Sequence, residues 1–331
     1  RVNFYTGFTS KNVLQGIYDS ISDGVHRLRY WRSTSTNTGK ADHDQDRKRR
    51  SGRQHQLPPF FQFLLTLIRL RLNLPLLLLA DLFHVSSSTV TRITITWISY
   101  MHQTLVPALL VWPSQAHIRG WMPLDFKAAF PNTRVVIDCS EFFIDRPRNK
   151  DEQYKTYSQY KSHNTYKVLF GVSPFGAFTF VSDLWSGNVS DKYLTEQSGL
   201  IDKLDDGDAV MADRGFHIED SLLKKNASLI APPFTRKWQN AKGKRLNVKE
   251  IKRTRQIARL RIHVERAIQR VKCWRILKHQ IPESLQDCAS MIVKLIAAFC
   301  NLKGPLFYSK NEKSLRKLKV IQRKPLKCLK H

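Results

Sequence analysis

The sequence predicts an α/β protein in which an all-α region precedes a domain of strands followed by helices. Three observations carry that expectation. Up to about Trp121 apolar residues recur at helical spacing. Beyond it come short branched or aromatic runs, 134–137, 168–172, 178–183 and 208–211, separated by Gly, Pro, Asn and Asp. From about Asn247 helical periods return and continue to Leu302. A chain of 331 residues has room for one large unit and a smaller one, and no fixed-period repeat divides it differently.

Each part follows from its composition. In residues 1–56, Phe4, Tyr5, Phe8, Val13, Leu14, Ile17 and Tyr18 fall in a roughly helical period and predict a short packed helix. A Ser/Thr/Asn/Gly-rich stretch then ends in Arg47-Lys48-Arg49-Arg50 and reads as a flexible basic linker. That charge run suits a nuclear localisation signal, a phosphate clamp or a solvated surface equally well. Residues 57–120 carry three helical periods, about 58–72, 75–83 and 87–105. Residues 134–302 hold the strands and later helices, and 303–331 form a Lys/Arg-rich tail with no core-forming pattern.

The charge balance narrows the partner. With 55 Lys+Arg against 27 Asp+Glu the formal net charge is +28, and such an excess becomes useful when phosphates release their counterions to it. A hydrophobic content of 42% with 11% aromatics excludes a disordered basic tail protein; a ribosomal-type or membrane-surface protein remains compatible. The five cysteines are scattered and form no C-x-x-C pair, so neither a disulfide framework nor a zinc site is signalled, and a reducing compartment is expected. No signal peptide is visible. The most apolar stretch, 57–83, is broken by Arg69, Arg71, Asn73, Pro75 and Asp81, which rules it out as a membrane span.

The segment 74–97 has the spacing of two helices meeting at a sharp turn. Ala80 is small where the helices approach, Phe83 and Val85 bracket the turn, and Val90 and Ile93 fall on the side that packs back. Ser86 is placed to cap the second helix. This leaves Ser87, Ser88, Thr89, Thr91 and Arg92 as candidates for DNA contact, in the manner of a helix-turn-helix. A helical hairpin buried in the core satisfies the same pattern.

Three carboxylates stand in suggestive settings. Asp138 follows Val135-Val136-Ile137 and is expected at the end of a buried strand. Asp213 follows Val210-Met211-Ala212, and Gly215 beyond it permits a tight turn. Glu265 lies on a predicted helix whose Arg261 and Lys272 share its face. Ile262, Ala267, Val271 and Trp274 would pack that helix. Two aspartates at neighbouring strand ends with a helical glutamate offer the hard oxygen ligands that two-metal phosphoryl transfer with Mg²⁺ or Mn²⁺ requires, the ions lying about 3.5–4 Å apart.

In order along the chain, "DCSEFFIDRP" from Asp138, "YKSHNTYKVLFGVSPFG" from Tyr160, "LWSGNVSDKYLTE" from Leu184, "ADRGF" from Ala212, "RIHVERAIQRVK" from Arg261 and "NLKGPL" from Asn301 resemble the DDE superfamily endonucleases of Harbinger/PIF-type transposases. The resemblance runs from about residue 57 to 305. It implies an RNase H-like mixed sheet flanked by helices, divalent-metal nuclease and strand-transfer chemistry on DNA, and action in the nucleus. It places Asp138, Asp213 and Glu265 as the catalytic, metal-binding triad and Asp191 as a further acidic position among the metal ligands, with capping of a helix near Lys192 as the alternative. It makes Arg261 and Lys272 phosphate-holding positions, although either could pair with Glu265. Lys161, His163 and Asn164, with Lys167, are candidates for substrate contact on their own chemistry, since His, Asn and Lys at a strand entrance can reach backbone phosphates, with a structural turn as the alternative. Asp183, Glu141 and Asp145 read as neighbours rather than ligands. A Myb-like DNA-binding partner protein and a homo-oligomer are further implications. No N-terminal zinc-finger module is recognisable. Two other readings stay open: a domesticated DNA-binding or adaptor protein without turnover, and a nuclease acting on RNA or a hybrid.

Overall fold

The computed structural model describes residues 1–31, 57–233, 236–237, 244–245 and 247–304. The linker with Arg47–Arg50 and the basic tail lie outside the described residues. The helical part comprises α1 (Val2–Thr6), α2 (Lys11–Ile21), α3 (Pro59–Leu72), α4 (Leu76–Phe83), α5 (Ser87–Leu109), α6 (Gln115–Trp121) and α7 (Leu124–Ala129). Then follow β1 (Thr133–Phe143), α8 (Lys150–Thr156), β2 (Tyr157–Ser158), β3 (His163–Val172), β4 (Phe178–Val181), β5 (Trp185–Ser186), α9 (Asp191–Gln197), β6 (Ala209–Met211), α10 (Glu219–Leu223), β7 (Ser228–Ile230), β8 (Arg236–Lys237) and β9 (Lys244–Arg245). The long α11 (Val248–Lys272), the short α12 (Arg275–Lys278) and α13 (Ala289–Asn301) close the chain.

The sheet is mixed. Its main path runs β2-β3-β1-β6-β7, with β4 and β5 also on β3. β1 is antiparallel to β3 and parallel to β6, and β6 is parallel to β7. Alternation along β1 divides the core in two. Val136 and Phe142 face a large cluster that includes α5, α11 and α13, whereas Val135 and Ile137 face a smaller one closed by Leu194 of α9 and Leu222 of α10. This is the RNase H-like mixed sheet flanked by helices that the resemblance implies.

The helix-turn-helix forms for the reasons the sequence supplies. Asn73 and His84 end α3 and α4 in the left-handed conformation, at φ of 50° and 51°, and the Ser86 side chain accepts a hydrogen bond from the Thr89 amide to start α5. Ala80, Val90 and Ile93 are buried at the crossing, and Phe83 and Val85 pack partly against the same core. A polar knot fixes α3 on α5: Gln62 Oε1 accepts from the Tyr30 hydroxyl at 2.6 Å and from Trp97 Nε1 at 3.0 Å. The large core takes in α2, α3 and α5 together with the sheet and α13, so the helical region is packed onto the sheet domain. Asn301 stitches the junction, donating through Nδ2 to the carbonyls of Leu109 and Phe178 while Oδ1 accepts from the Phe178 amide.

Several boundaries depart from the sequence expectation. β1 does not end at Asp138 but continues five residues to Phe143, because β3 extends back to His163 and pairs with it throughout. α5 reaches Leu109, with Pro107 inside its last turn. α6, α7, α8 and the short β5 carry too few residues for a period to be read, and α8, α9 and α10 interleave with the strands that the sequence placed first.

Candidate active site

Parallel pairing aligns the two aspartates. Val136 stands opposite Met211 in the β1–β6 ladder, and Asp138 and Asp213 each lie two residues further on, which returns both to the face of the large core. Asp138 is therefore mid-strand and half-buried, where β1 has outrun its parallel neighbour. Asp213 lies two residues past the end of β6, and its Oδ1 accepts from the Arg214 amide at 2.8 Å.

α11 supplies the remaining groups. Asn247 and Glu250 form a reciprocal capping box at its start, which fixes where the helix begins and hence where Glu265 falls over the sheet. Ile257, Leu260, Val264, Ala267 and Val271 bury one side. Ile262 is 39% exposed, so its expected packing role falls instead to Leu260 and Val264. Glu265 is exposed at the helix margin. Arg261 Nη1 lies 2.9 Å from Asp213 Oδ1; its partner is this aspartate rather than the glutamate one turn along.

The electrostatics show how closely these groups meet. Burial pushes the Asp138 carboxyl up to about 6, the Arg261 guanidinium opposes that rise, and Glu265 and Asp213 reinforce it. Burial and Lys161 lower the Lys272 ammonium, with Asp138 and Glu141 acting in the opposite direction. Lys272 Nζ lies 6.0 Å from the centroid of the Phe142 ring. Asp138, Asp213, Glu265, Arg261 and Lys272 are thus one electrostatic unit on one face of the sheet.

Asp191 does not join them. It is the first residue of α9, where Ser190 and not Asp191 provides the cap by accepting from the Tyr193 amide. Its Oδ1 lies 3.2 Å from Lys167 Nζ, which also reaches Glu141 at 3.8 Å and donates to the Val189 carbonyl. Glu141 and Cys139 alternate with Asp138 along β1, so this group occupies the opposite face. The Cys139 thiol, held high by burial first and Asp191 second, is hydrogen-bonded to that carboxylate.

The remaining candidates divide. Asn164 is engaged structurally, donating to the Gln153 carbonyl and the Thr156 hydroxyl. His163 is exposed; its ring meets Phe143 edge-on, and Nδ1 is 3.0 Å from the Lys161 carbonyl. On α5, Ser88 and Arg92 are exposed, while Ser87, Thr89 and Thr91 are half-buried. Thr91 donates to the Ser87 carbonyl, and Ser86 lies within hydrogen-bond distance of the Ser88 and Thr89 hydroxyls. Asp183 bonds Ser290 and Lys294, and Asp145 accepts from the Glu283 amide; both tie helical segments to the sheet.

Among the described residues, no group of three or more His, Cys, Asp or Glu side chains is gathered closely enough to hold a metal ion, Asp213 being turned to Arg261. The donor chemistry nevertheless suits one. The three carboxylates offer hard oxygens, and the raised Asp138 carboxyl lacks the positive charge that a divalent cation would supply.

A mixed sheet flanked by helices, with two aspartates and a helix-borne glutamate close enough to act on one another and a helix-turn-helix joined through the same core, fits the class of DNA-processing nucleases. A family model described as DDE superfamily endonuclease matches residues 137–301, and one described as the helix-turn-helix of DDE superfamily endonuclease matches residues 55–107. The chain belongs to the DDE superfamily endonucleases. Neither curated proteins nor solved structures provide a match. Endonucleases of this superfamily generally use divalent metals, and no described helix is long and apolar enough to cross a membrane.

Proposed function

We propose that the protein is a divalent-metal-dependent DNA endonuclease of the Harbinger/PIF transposase type, cleaving phosphodiester bonds by in-line displacement with Asp138, Asp213 and Glu265 as its catalytic carboxylates. The observation that carries this reading is that Asp138, two residues beyond the last β1–β6 pair, and Asp213, two residues past the end of β6, lie close enough to each other and to Glu265 of α11 for both to act on the Asp138 carboxyl. These three side chains would hold Mg²⁺ or Mn²⁺, which when bound supplies Lewis acidity at phosphorus and lowers the pKa of the attacking water or hydroxyl.

The chain's own groups do the rest. Arg261, 2.9 Å from Asp213, orients that carboxylate. Lys272, whose ammonium is lowered by burial first and Lys161 second, provides positive charge for the phosphates flanking the scissile bond. Ser88 and Arg92, exposed on the first turns of α5, are placed for DNA contact, with Ser87, Thr89 and Thr91 behind them. Nuclear action, a Myb-like partner and a homo-oligomer belong to the same reading.

One observation favours a second reading, a DNA-binding protein of this fold without turnover: the ion pair that already occupies Asp213. Nicking of supercoiled DNA in Mg²⁺ or Mn²⁺, wild type beside Glu265→Gln, separates the two. Metal-dependent nicking lost in the variant is expected; equal activity in both proteins sinks the assigned site, and no nicking by either leaves the second reading standing.

A further inference from the structure

At the other end of β3 from the core lies a cleft of about 1140 Å³, larger than the roughly 300–1,000 Å³ that receives a single small molecule. Three tyrosines at three-residue intervals line it, Tyr154 on α8, Tyr157 on β2 and Tyr160 in the turn after it. Tyr154 is 81% and Tyr160 84% exposed. Neither ring packs in the core, so stability does not account for three aromatic faces held at one opening.

Charge is distributed in a way that sorts a ligand. Arg146 and Lys150 stand on the lining, and the Lys161 ammonium lies 4.4 Å from the Tyr160 ring centroid. On the inner side, Glu141 and Asp191 share the single cation Lys167. Phosphates are thus favoured along the cationic margin and disfavoured within, where Glu141 and Asp191 outnumber Lys167. The margin also leads to the carboxylate face, since Lys161 acts electrostatically on Lys272, which in turn feels Asp138.

We propose that this cleft receives single-stranded DNA, with successive bases stacked on Tyr154, Tyr157 and Tyr160 and the backbone along Lys150 and Lys161, so that the duplex beside the cut is bound in an opened state. Aromatic faces beside a cationic track are how unpaired strands are held without regard to sequence. The proposal rests on the endonuclease reading for its biological sense but not for its test.

The test is binding of the full chain, followed by fluorescence anisotropy in chelator so that nothing is cut, to a blunt DNA duplex and to the same duplex bearing a short unpaired end. Wild type should prefer the unpaired end by about tenfold. Tyr154→Ala combined with Tyr160→Ala should abolish the preference while leaving blunt-duplex affinity unchanged, and the matching Phe substitutions should retain it. Equal wild-type affinity for both duplexes overturns the proposal, as does an unaltered preference in the alanine variant or tighter binding of an RNA end. Because no cleavage is measured, failure here is distinguishable from failure of the assigned triad, which the nicking assay reads.

Discussion

The two faces of β1 carry the same chemistry in different states. On one, Asp138, Asp213 and Glu265 stand with Arg261 and Lys272; Arg261 bonds Asp213, and burial pushes the Asp138 carboxyl up to about 6. On the other, Glu141 and Asp191 are both within ion-pair distance of Lys167, and Thr165 adds a hydroxyl donor to Glu141 at 2.8 Å. A single residue step along a strand separates the arrangements. Local composition therefore does not decide which carboxyl is left raised; burial and the presence of an ion-pair partner of its own do.

The contrast is broken most severely by removing a carboxylate from the first face. Asp213→Asn or Glu265→Gln should lower metal-dependent nicking about a thousandfold, the equivalent of several kcal/mol of transition-state stabilisation. Glu141→Gln, on the second face, should change it by less than about tenfold. Comparable losses from both faces, measured under one set of conditions, would erase the distinction.

Next in size is a stability effect on Asp138. The folded chain holds this proton more tightly than the unfolded chain does, so its contribution works against stability as pH rises from about 4 through about 6. At neutral pH the cost is about 3 kcal/mol. Asp138→Asn should raise the melting temperature in chelator at pH 7 and lose that advantage below pH 4, while nicking disappears. A variant melting below wild type at pH 7 would show that the carboxylate is compensated.

Arg261→Gln sharpens the comparison more gently. Arg261 is the group that holds the Asp138 carboxyl down, so without it the acid limb of the pH–activity profile should move alkaline by about one unit. An unmoved profile would locate Arg261's influence in Asp213 alone. The smallest effect belongs to the distant helix. Arg92→Gln should weaken DNA binding uniformly across sequences and reduce the salt slope by about one, with nicking chemistry unaltered at saturating DNA.

Much of this arrangement was legible in the sequence, and the gaps have physical causes. Asp138 and Asp213 were visible because branched apolar runs lead into both, and the turn around His84 because Ala80, Phe83, Val85, Val90 and Ile93 mark its packing. The far half of β1 was hidden, since Cys-Ser-Glu has no strand signature and pairs only because β3 lies alongside. The face of Asp191 was hidden for a related reason. It depends on where α9 docks, and residues so far apart in the chain do not announce which side of a sheet they will share. The Asn247–Glu250 box was present as Asn-x-x-Glu before a helical run, a readable start signal. The tyrosines at 154, 157 and 160 recur every third residue, but they span a short helix, a two-residue strand and a turn, so the spacing does not announce the shared opening.

α5 spans 23 residues, about 35 Å at 1.5 Å per residue. Its first turn is open to solvent with Ser88 and Arg92, its later turns are buried through Trp97, Ile98, Met101 and Leu105, and Asn301 holds its end at Leu109 against β4. Such a helix is a strut, and a strut makes the molecule a measuring device. On the proposed function, a sequence gripped at its outer end would lie at a constant offset from the strand brought to Asp138, so the length between gripped sequence and cut would be set by the protein's architecture rather than by the DNA.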